Sequence, residues 1–437
     1  MSDTDPYLGG QYHWVSEFAP PGMQKFLSYV AGWTSVLAWQ PALAGGLYPA
    51  MSAIEALASY QDSSFVFTAW QGSLIMIALG FLTVPFNTVW RRALPMFETI
   101  VLVFHFAGFL AIIIPLWALT PVKNPTSEVF GSVVNSGGWS NTGLAMLVGQ
   151  VATFYTLAGS DSAVHLSEEV EDAGLTVPRS IVYSYLANSA MGFVMLITMM
   201  YCMGPLDVAI ETGSPFVSAF TQIGTAGATG LTIILFVLLI AGNNTCTTTE
   251  SRQMWAFARD RGLPFSTWLS KIDAKWNVPL NCIIVSIAIN IILCLINLGS
   301  NFAFNIIIGL SSTGSLATYF VSIGCLITAR LRAEPLPPAR WSLGRWGMAV
   351  NILAVVWSTQ VFIFCFFPVT YPVTADSLED MNWVVVIFFA VVVLSAGFYV
   401  AHGRKHYHGP VAFVQGQRSG NVLQTVGDGE VEVFREK

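Results

Sequence analysis

Nine stretches of this chain contain no Asp, Glu, Lys or Arg for 23 residues or more, and they dictate what it can fold into. They are residues 26–54, 63–90, 99–122, 129–160, 180–206, 212–249, 276–329, 346–375 and 381–403. A helix crossing the hydrocarbon core of a bilayer needs about 20 apolar residues. Every run is long enough, and the longest, residues 276–329, holds two spans joined at Asn297-Leu298-Gly299-Ser300-Asn301. The expectation is ten transmembrane helices. Composition agrees: 10% of residues are charged and 54% hydrophobic, where a soluble domain carries about 25% charge. A soluble enzyme and a disordered chain are thereby excluded. A nucleic-acid binder is excluded too, since the net charge of -6 has the wrong sign.

Ten spans put both ends of the chain on one side of the membrane. The distribution of basic residues tests this independently. If both termini are cytoplasmic, 18 of the 19 Lys and Arg residues fall in inner segments and only Lys123 lies outside. The outer loops hold acids such as Asp376, Glu379 and Asp380. The expected organisation is a cytoplasmic segment 1–25, a membrane domain 26–402 and a cytoplasmic tail 403–437, with the plasma membrane as the site. Asp3, Asp5, Pro6 and Pro20 interrupt the first 25 residues, so no cleavable signal peptide is expected and the first membrane helix serves as the targeting signal. Six cysteines without CxxC spacing read as small packing residues. His402, His406 and His408 read as part of a solvated tail.

Three functions suit such a bundle: a transporter, a membrane-embedded enzyme and a receptor. The motifs HExxH and GxSxG and paired intramembrane aspartates are absent from the sequence, and the outer loops are short. Gly, Ser, Thr and Asn are spread through the spans, as in transporters, where small residues permit close packing and polar ones line a path. In the fourth span, Phe154-Tyr155-Thr156-Leu157-Ala158 runs into Gly159-Ser160-Asp161. That triplet is a poor helix former, and the backbone groups it frees need partners. Two readings stay open. The triplet is a break whose carbonyls face a cation or ammonium, or Asp161 marks the membrane boundary and caps the helix that follows.

Four blocks are recognisable. They are Gly9-Gly10-Gln11-Tyr12-His13-Trp14-Val15-Ser16-Glu17-Phe18, then Ser167-Glu168-Glu169-Val170-Glu171-Asp172-Ala173 with Val177-Pro178-Arg179-Ser180, then Trp255-Ala256-Phe257-Ala258-Arg259-Asp260-Arg261-Gly262-Leu263-Pro264, and Arg340-Trp341-Ser342-Leu343-Gly344-Arg345-Trp346-Gly347. In this order they resemble the amino acid/choline/GABA permease branch of the amino acid–polyamine–organocation superfamily, over about residues 9–410. The resemblance implies an all-α integral membrane protein with the inverted-repeat bundle of the leucine transporter. Family members usually have two membrane helices before the Gly-Gly-Gln-Tyr-His-Trp block, whereas here Met1 stands eight residues before it. The ten spans therefore match the family's third to twelfth helices, and an incomplete or truncated gene product is expected, carrying one of the two broken helices that make the family's site.

What the resemblance implies for single residues follows from position. Backbone carbonyls of Gly159, Ser160 and Asp161 would receive the substrate ammonium. Phe154 and Tyr155 would close over it or attract it by cation–π contact, with ordinary helix packing as the alternative. Trp39 and Gln40, on the family's third helix, would line the path. His105, at mid-span on the family's fifth helix, would take up a coupling proton, with neutral packing as the alternative. Asn243, Asn244, Thr247 and Thr248 would line a cation site or inner gate, against a plain helix end close to the cytoplasm. Glu168, Glu169 and Arg259 are candidate gate charges. The expected activity is secondary transport of an amino acid, GABA or choline by alternating access, with a proton as coupling ion before sodium. The rival is a non-transporting paralogue or sensor. No cofactor, metal or covalent catalysis is implied, and the partners are the solute, the ion and the lipid bilayer.

Overall fold

The computed structural model describes residues 10–410 apart from 63, 66, 299–302, 334–335, 337–340, 375–380 and 408; the side chains of 168, 169 and 303 are also outside the description. Among the described residues the regular structure is entirely helical. In chain order the helices are α1 (Gln11–Phe18), α2 (Gln24–Trp39), α3 (Ala42–Gln61), α4 (Ala69–Asn87), α5 (Leu94–Leu119), α6 (Thr126–Gly131) and α7 (Thr142–Leu157). A 3-10 segment, Ser160–Glu169, follows α7. Then come α8 (Ala173–Cys202), α9 (Leu206–Glu211), α10 (Pro215–Thr221), α11 (Thr225–Arg259), α12 (Ser266–Leu269), α13 (Leu280–Ile296), α14 (Ala303–Leu331), α15 (Gly347–Phe364) and α16 (Val384–Phe398).

Among the described residues seven helical stretches are long and apolar enough to cross a membrane, and an eighth is reached if α7 and the 3-10 segment count as one bent span. Of the remaining charge-free runs, the first is occupied by α2 and α3 and part of the seventh by the 17-residue α13. The molecule is therefore a multi-pass membrane protein. The turn expected at 297–301 falls largely outside the described residues. The six cysteines are unpaired, five of them buried.

The first expected span is two helices end to end. Pro41 has no N–H to donate, so it interrupts the ladder of i to i−4 bonds. Backbone angles stay helical through Gln40 and Pro41, and the chain continues as one rod with a joint. Neighbours satisfy the groups the joint exposes. Ser311 Oγ of α14 donates to the Ala38 carbonyl at 2.8 Å, and the Ala44 N–H donates to Asn290 Oδ1 of α13 at 2.9 Å. Orphaned helix ends in a buried setting need such partners.

The innermost helix is α14: 72% of its apolar window is buried, against 6% for α8. It packs on α2, α15 and α1. Residues 11–18, in the segment expected to be cytoplasmic, form α1 and pack on α2 and α14, with Tyr12 and Val15 fully buried. An aromatic cluster fastens this end: Tyr29 meets Phe257 and Tyr407 at ring distances of 5.8 and 5.1 Å. The Tyr12 hydroxyl donates to Asp260 at 2.8 Å.

Candidate functional site

The fourth expected span is broken where the Gly-Ser-Asp triplet begins. Helix α7 stops at Leu157, Ala158 is extended, and Gly159 takes φ 97, a left-handed conformation in which a side chain is strained. The 3-10 segment that follows is inclined to α7 by 41°. The last carbonyls of α7 thus lie at an internal helix end, where they lack intrahelical donors. Asp161 does not cap the segment: the N-cap is Gly159, with no side-chain cap. Instead its carboxylate, 7% exposed, accepts a short hydrogen bond from Gln11 Nε2 of α1, and the Tyr319 hydroxyl of α14 joins the pair. This arrangement goes against the boundary-cap reading.

Trp39 comes to the same place. Its Cη2 is 3.8 Å from the position a Cβ on Gly159 would occupy. Its ring stands edge-on to buried His165 at 5.6 Å and 84°. Gln40, the next residue, points elsewhere: its Nε2 donates to Ser286 Oγ at 3.1 Å and to the Glu250 carbonyl at 3.4 Å. The aromatic pair also divides, as neighbours on a helix must. Phe154 enters an apolar cluster with Leu316, Val361 and Cys365, 5.9 Å from the Trp357 ring. The Tyr155 hydroxyl fills the space a Cβ on Gly45 of α3 would need. Phe154 is therefore packing between α7, α14 and α15, and it is not brought beside Gly159.

A second polar region lies along α11. The expected helix end after Glu250 is corrected: α11 continues to Arg259, and Asn243, Asn244, Thr247, Thr248 and Glu250 are 0–2% exposed. Asn243, Thr247 and Glu250 share one flank by the i, i+4 and i+7 spacing, with Asn244 and Thr248 one residue on from the first two, and the groups meet α4, α3 and α13. Asn87 of α4 donates to Asn244 Oδ1 at 3.1 Å and accepts from Thr248 Oγ1 at 2.5 Å. The hydroxyls of Thr83 and Thr247 are 2.8 Å apart. The Asn243 amide oxygen sits in the space left by the absent side chain of Gly46. Asn290 Nδ2 donates to both oxygens of Glu250, at 3.3 and 3.2 Å.

The remaining candidates are apart from both regions. His105 is exposed on α5, its ring 6.2 Å from that of Phe106; among the described residues no hydrogen bond ties it to the break or to the α11 flank. Arg259 lies over the Trp255 ring at 4.8 Å and 3.9 Å from Asp260. The side chains of Glu168 and Glu169, its expected partners, lie outside the description. A cavity of about 340 Å³ opens near the start of α7, bounded by Asn135, Trp139, Ala152, Asn305 and Phe364; it does not reach Gly159. Not expected beforehand were Gln11, Tyr319, Thr83, Asn87, Glu250 and Asn290. The signal for Asn87 and Asn290 was present, an amide within each charge-free run. That for Glu250 was hidden, because an acid closing a charge-free run reads as a boundary.

Comparisons with known proteins bear on what these groups serve. A family model described as amino acid permease matches residues 2–392. A choline transporter of Saccharomyces cerevisiae is 27% identical over 420 residues, covering 93% of this chain and 72% of that protein. The GABA-specific permease of the same yeast is 28% identical over 423 residues, covering 93% and 72%. Amino-acid permease 2 of Neurospora crassa is 27% identical over 419 residues, covering 94% and 76%.

Proposed function

Because this chain belongs to the amino acid permease family, as a transporter and not an enzyme, we propose that it carries a small amine-bearing solute by alternating access. The solute class is an amino acid, GABA or choline, as the names of its relatives suggest. The proposal includes ten membrane spans in an inverted-repeat arrangement, matching the family's third to twelfth helices. It also includes cytoplasmic termini, residence in the plasma membrane and coupling to protons before sodium. Residues 1–25, 26–402 and 403–437 are the inner segment, the membrane domain and the tail.

The observation that carries this reading is the break at Ala158-Gly159 with Trp39 and Asp161 beside it. Carbonyls at an interrupted helix end present partial negative charge, and Asp161 adds a full one on the next turn. Either suits the positive charge of an ammonium group. An indole face beside them attracts a cation by about 0.5–2 kcal/mol. Tyr155, Gln40 and the amide and hydroxyl groups of α11 border the same bundle interior and would line the route, with Glu168, Glu169 and Arg259 at the inner gate.

The test is uptake of radiolabelled amino acids, GABA and choline by yeast lacking its own permeases and expressing the chain. Uptake of one solute class that saturates and is lost in Asp161→Ala is expected. If none of the solutes enters above the vector control, although the protein reaches the surface, the transport reading is refuted and the non-transporting alternative takes its place.

A further inference from the structure

Glu250 is the one acidic side chain with no exposed surface among the described residues. It lies within a helix that crosses the membrane, where an ionised carboxylate is costly and marks function by default. Its contacts identify the kind of function. The carboxyl group receives Asn290 Nδ2 at both oxygens, and the Cys246 thiol lies one turn back on the same helix.

The elements packed around it bring few titratable groups. Helix α4 has no titratable residue, and α10 and α12 have none. Helix α13 has only Cys282 and Cys294, while α2 has Lys25 at its first turn and Tyr29. Helix α3 has Tyr48, Glu55 and Tyr60, and α5 faces α11 with Glu98, which accepts from Thr245 at 2.9 Å, while its His105 is exposed. The 3-10 segment brings Asp161, His165, Glu168 and Glu169. On α11 itself, Arg252 Nη1 reaches back to the Thr248 carbonyl at 3.4 Å.

Asn290 is itself fully committed. Its Oδ1 accepts the Ala44 N–H and its Nδ2 also reaches the Ser286 carbonyl at 2.9 Å. Glutamine at position 250 would accept from Asn290 Nδ2 at its one amide oxygen, without any cost of ionisation. What an acid adds there is a second protonation state. The neutral form brings an O–H that needs an acceptor, and the Gln40 amide oxygen is buried in this layer with no donor. Gln40 is already tied to Glu250 through its own amide N–H. Because Gln40 sits at the joint between α2 and α3, a change at Glu250 reaches the backbone at Pro41 and, through Asn290, the first turn of α3.

We propose that Glu250 is the proton-carrying residue of transport, loaded from water on one face of the membrane and unloaded to water on the other. The step is a proton transfer alone: the carboxylate takes a proton from hydronium, one O–H bond breaking there to leave water as one forms on Glu250, and later returns it to water as hydronium. This inference rests on the transport reading and names the residue behind its proton coupling.

The full chain and its Glu250→Gln variant are compared in proteoliposomes with an imposed pH gradient. With one proton per solute, a one-unit gradient supports about tenfold accumulation. The parent should concentrate solute tenfold, and Glu250→Gln should bring it only to equal concentrations while still exchanging internal for external solute. Glu250→Asp should restore accumulation with a displaced pH profile, which a merely structural role would not do. Gradient-driven accumulation by Glu250→Gln equal to the parent overturns the proposal, as does loss of pH dependence in His105→Ala with Glu250→Gln unaffected. Infrared spectra of the purified protein need no solute. A protonated-carboxyl band that titrates with pH in the parent and is missing in Glu250→Gln is expected; its absence from the parent at every pH refutes the proposal even if the chain carries no solute offered.

Discussion

Replacing Gly314 with alanine tests how closely α14 rides on α2. A Cβ added there would lie 2.9 Å from Ala38 Cα, Cβ and N. Carbon–carbon contact is optimal at about 3.5–4.0 Å, so the helices must separate by roughly 0.6 Å. Two of the three atoms are backbone and cannot rotate away. The Ser311–Ala38 hydrogen bond of 2.8 Å lies one turn off and would stretch towards the limit of its useful range. Overpacking of this kind costs about 1–3 kcal/mol and the weakened hydrogen bond about 1 more. Alanine returns about 1 kcal/mol through its better helix propensity, leaving a net loss of about 1–3 kcal/mol. Gly324→Ala on the same helix is the control, because a Cβ there meets nothing within 4 Å. It should be neutral or stabilising. Thermal unfolding in detergent, followed with a thiol-reactive dye on the buried cysteines, should rank Gly314→Ala below the parent and Gly324→Ala at or above it. If Gly314→Ala melts with Gly324→Ala, the close approach of α2 and α14 is wrong.

Gly159→Asn should transport better than Gly159→Val, since asparagine tolerates the left-handed region and valine does not. A strain of about 1–2 kcal/mol in Gly159→Ala, expressed in the rate, slows uptake about tenfold; a valine variant as active as the asparagine one would contradict this. In the α11 flank, Asn87→Leu strands Asn244 and Thr248 and should cost about 1–3 kcal/mol in denaturant unfolding. The Asn87→Ala/Asn244→Ala cycle should show a coupling above about 0.5 kcal/mol, and strict additivity would dismiss the contact. Burial raises the ionisation of Tyr12 well above the ordinary tyrosine value, with Asp260 adding to it, and burial does the same for Tyr407. A raised folded pKa means that this stability is complete below about pH 10 and is lost as pH rises through the folded value. Tyrosinate absorbance should therefore show the two buried phenols ionising only with unfolding. An early, reversible phase that disappears in Tyr12→Phe would argue against it.

The bundle was legible because hydrocarbon tolerates almost no charge, so runs without charge mark helices with little ambiguity. Pro41 was legible as a residue but not as a joint, since proline bends some membrane helices and is absorbed by others. The break at Gly159 was legible because a flexible residue and an acid interrupt an apolar run together. Phe154 and Tyr155 show the limit: adjacent in sequence, they serve different neighbours, and helix phase relative to partners is a tertiary property. Glu250 was hidden for a related reason. A charge ending an apolar run is usually at the water surface, and only the packing of neighbouring helices such as α13 against α11 makes it interior.

The joint at Pro41 ties the two ends of the bundle's longest rod to different helices. One half is fastened to α14 through Ala38 and Ser311, the other to α13 through Ala44 and Asn290. Each of these two hydrogen bonds has a net value of about 1 kcal/mol, while the body of the rod is held by packing on α14 and α11. A flex at Pro41 would act on these two bonds first, the one to α14 and the other to α13.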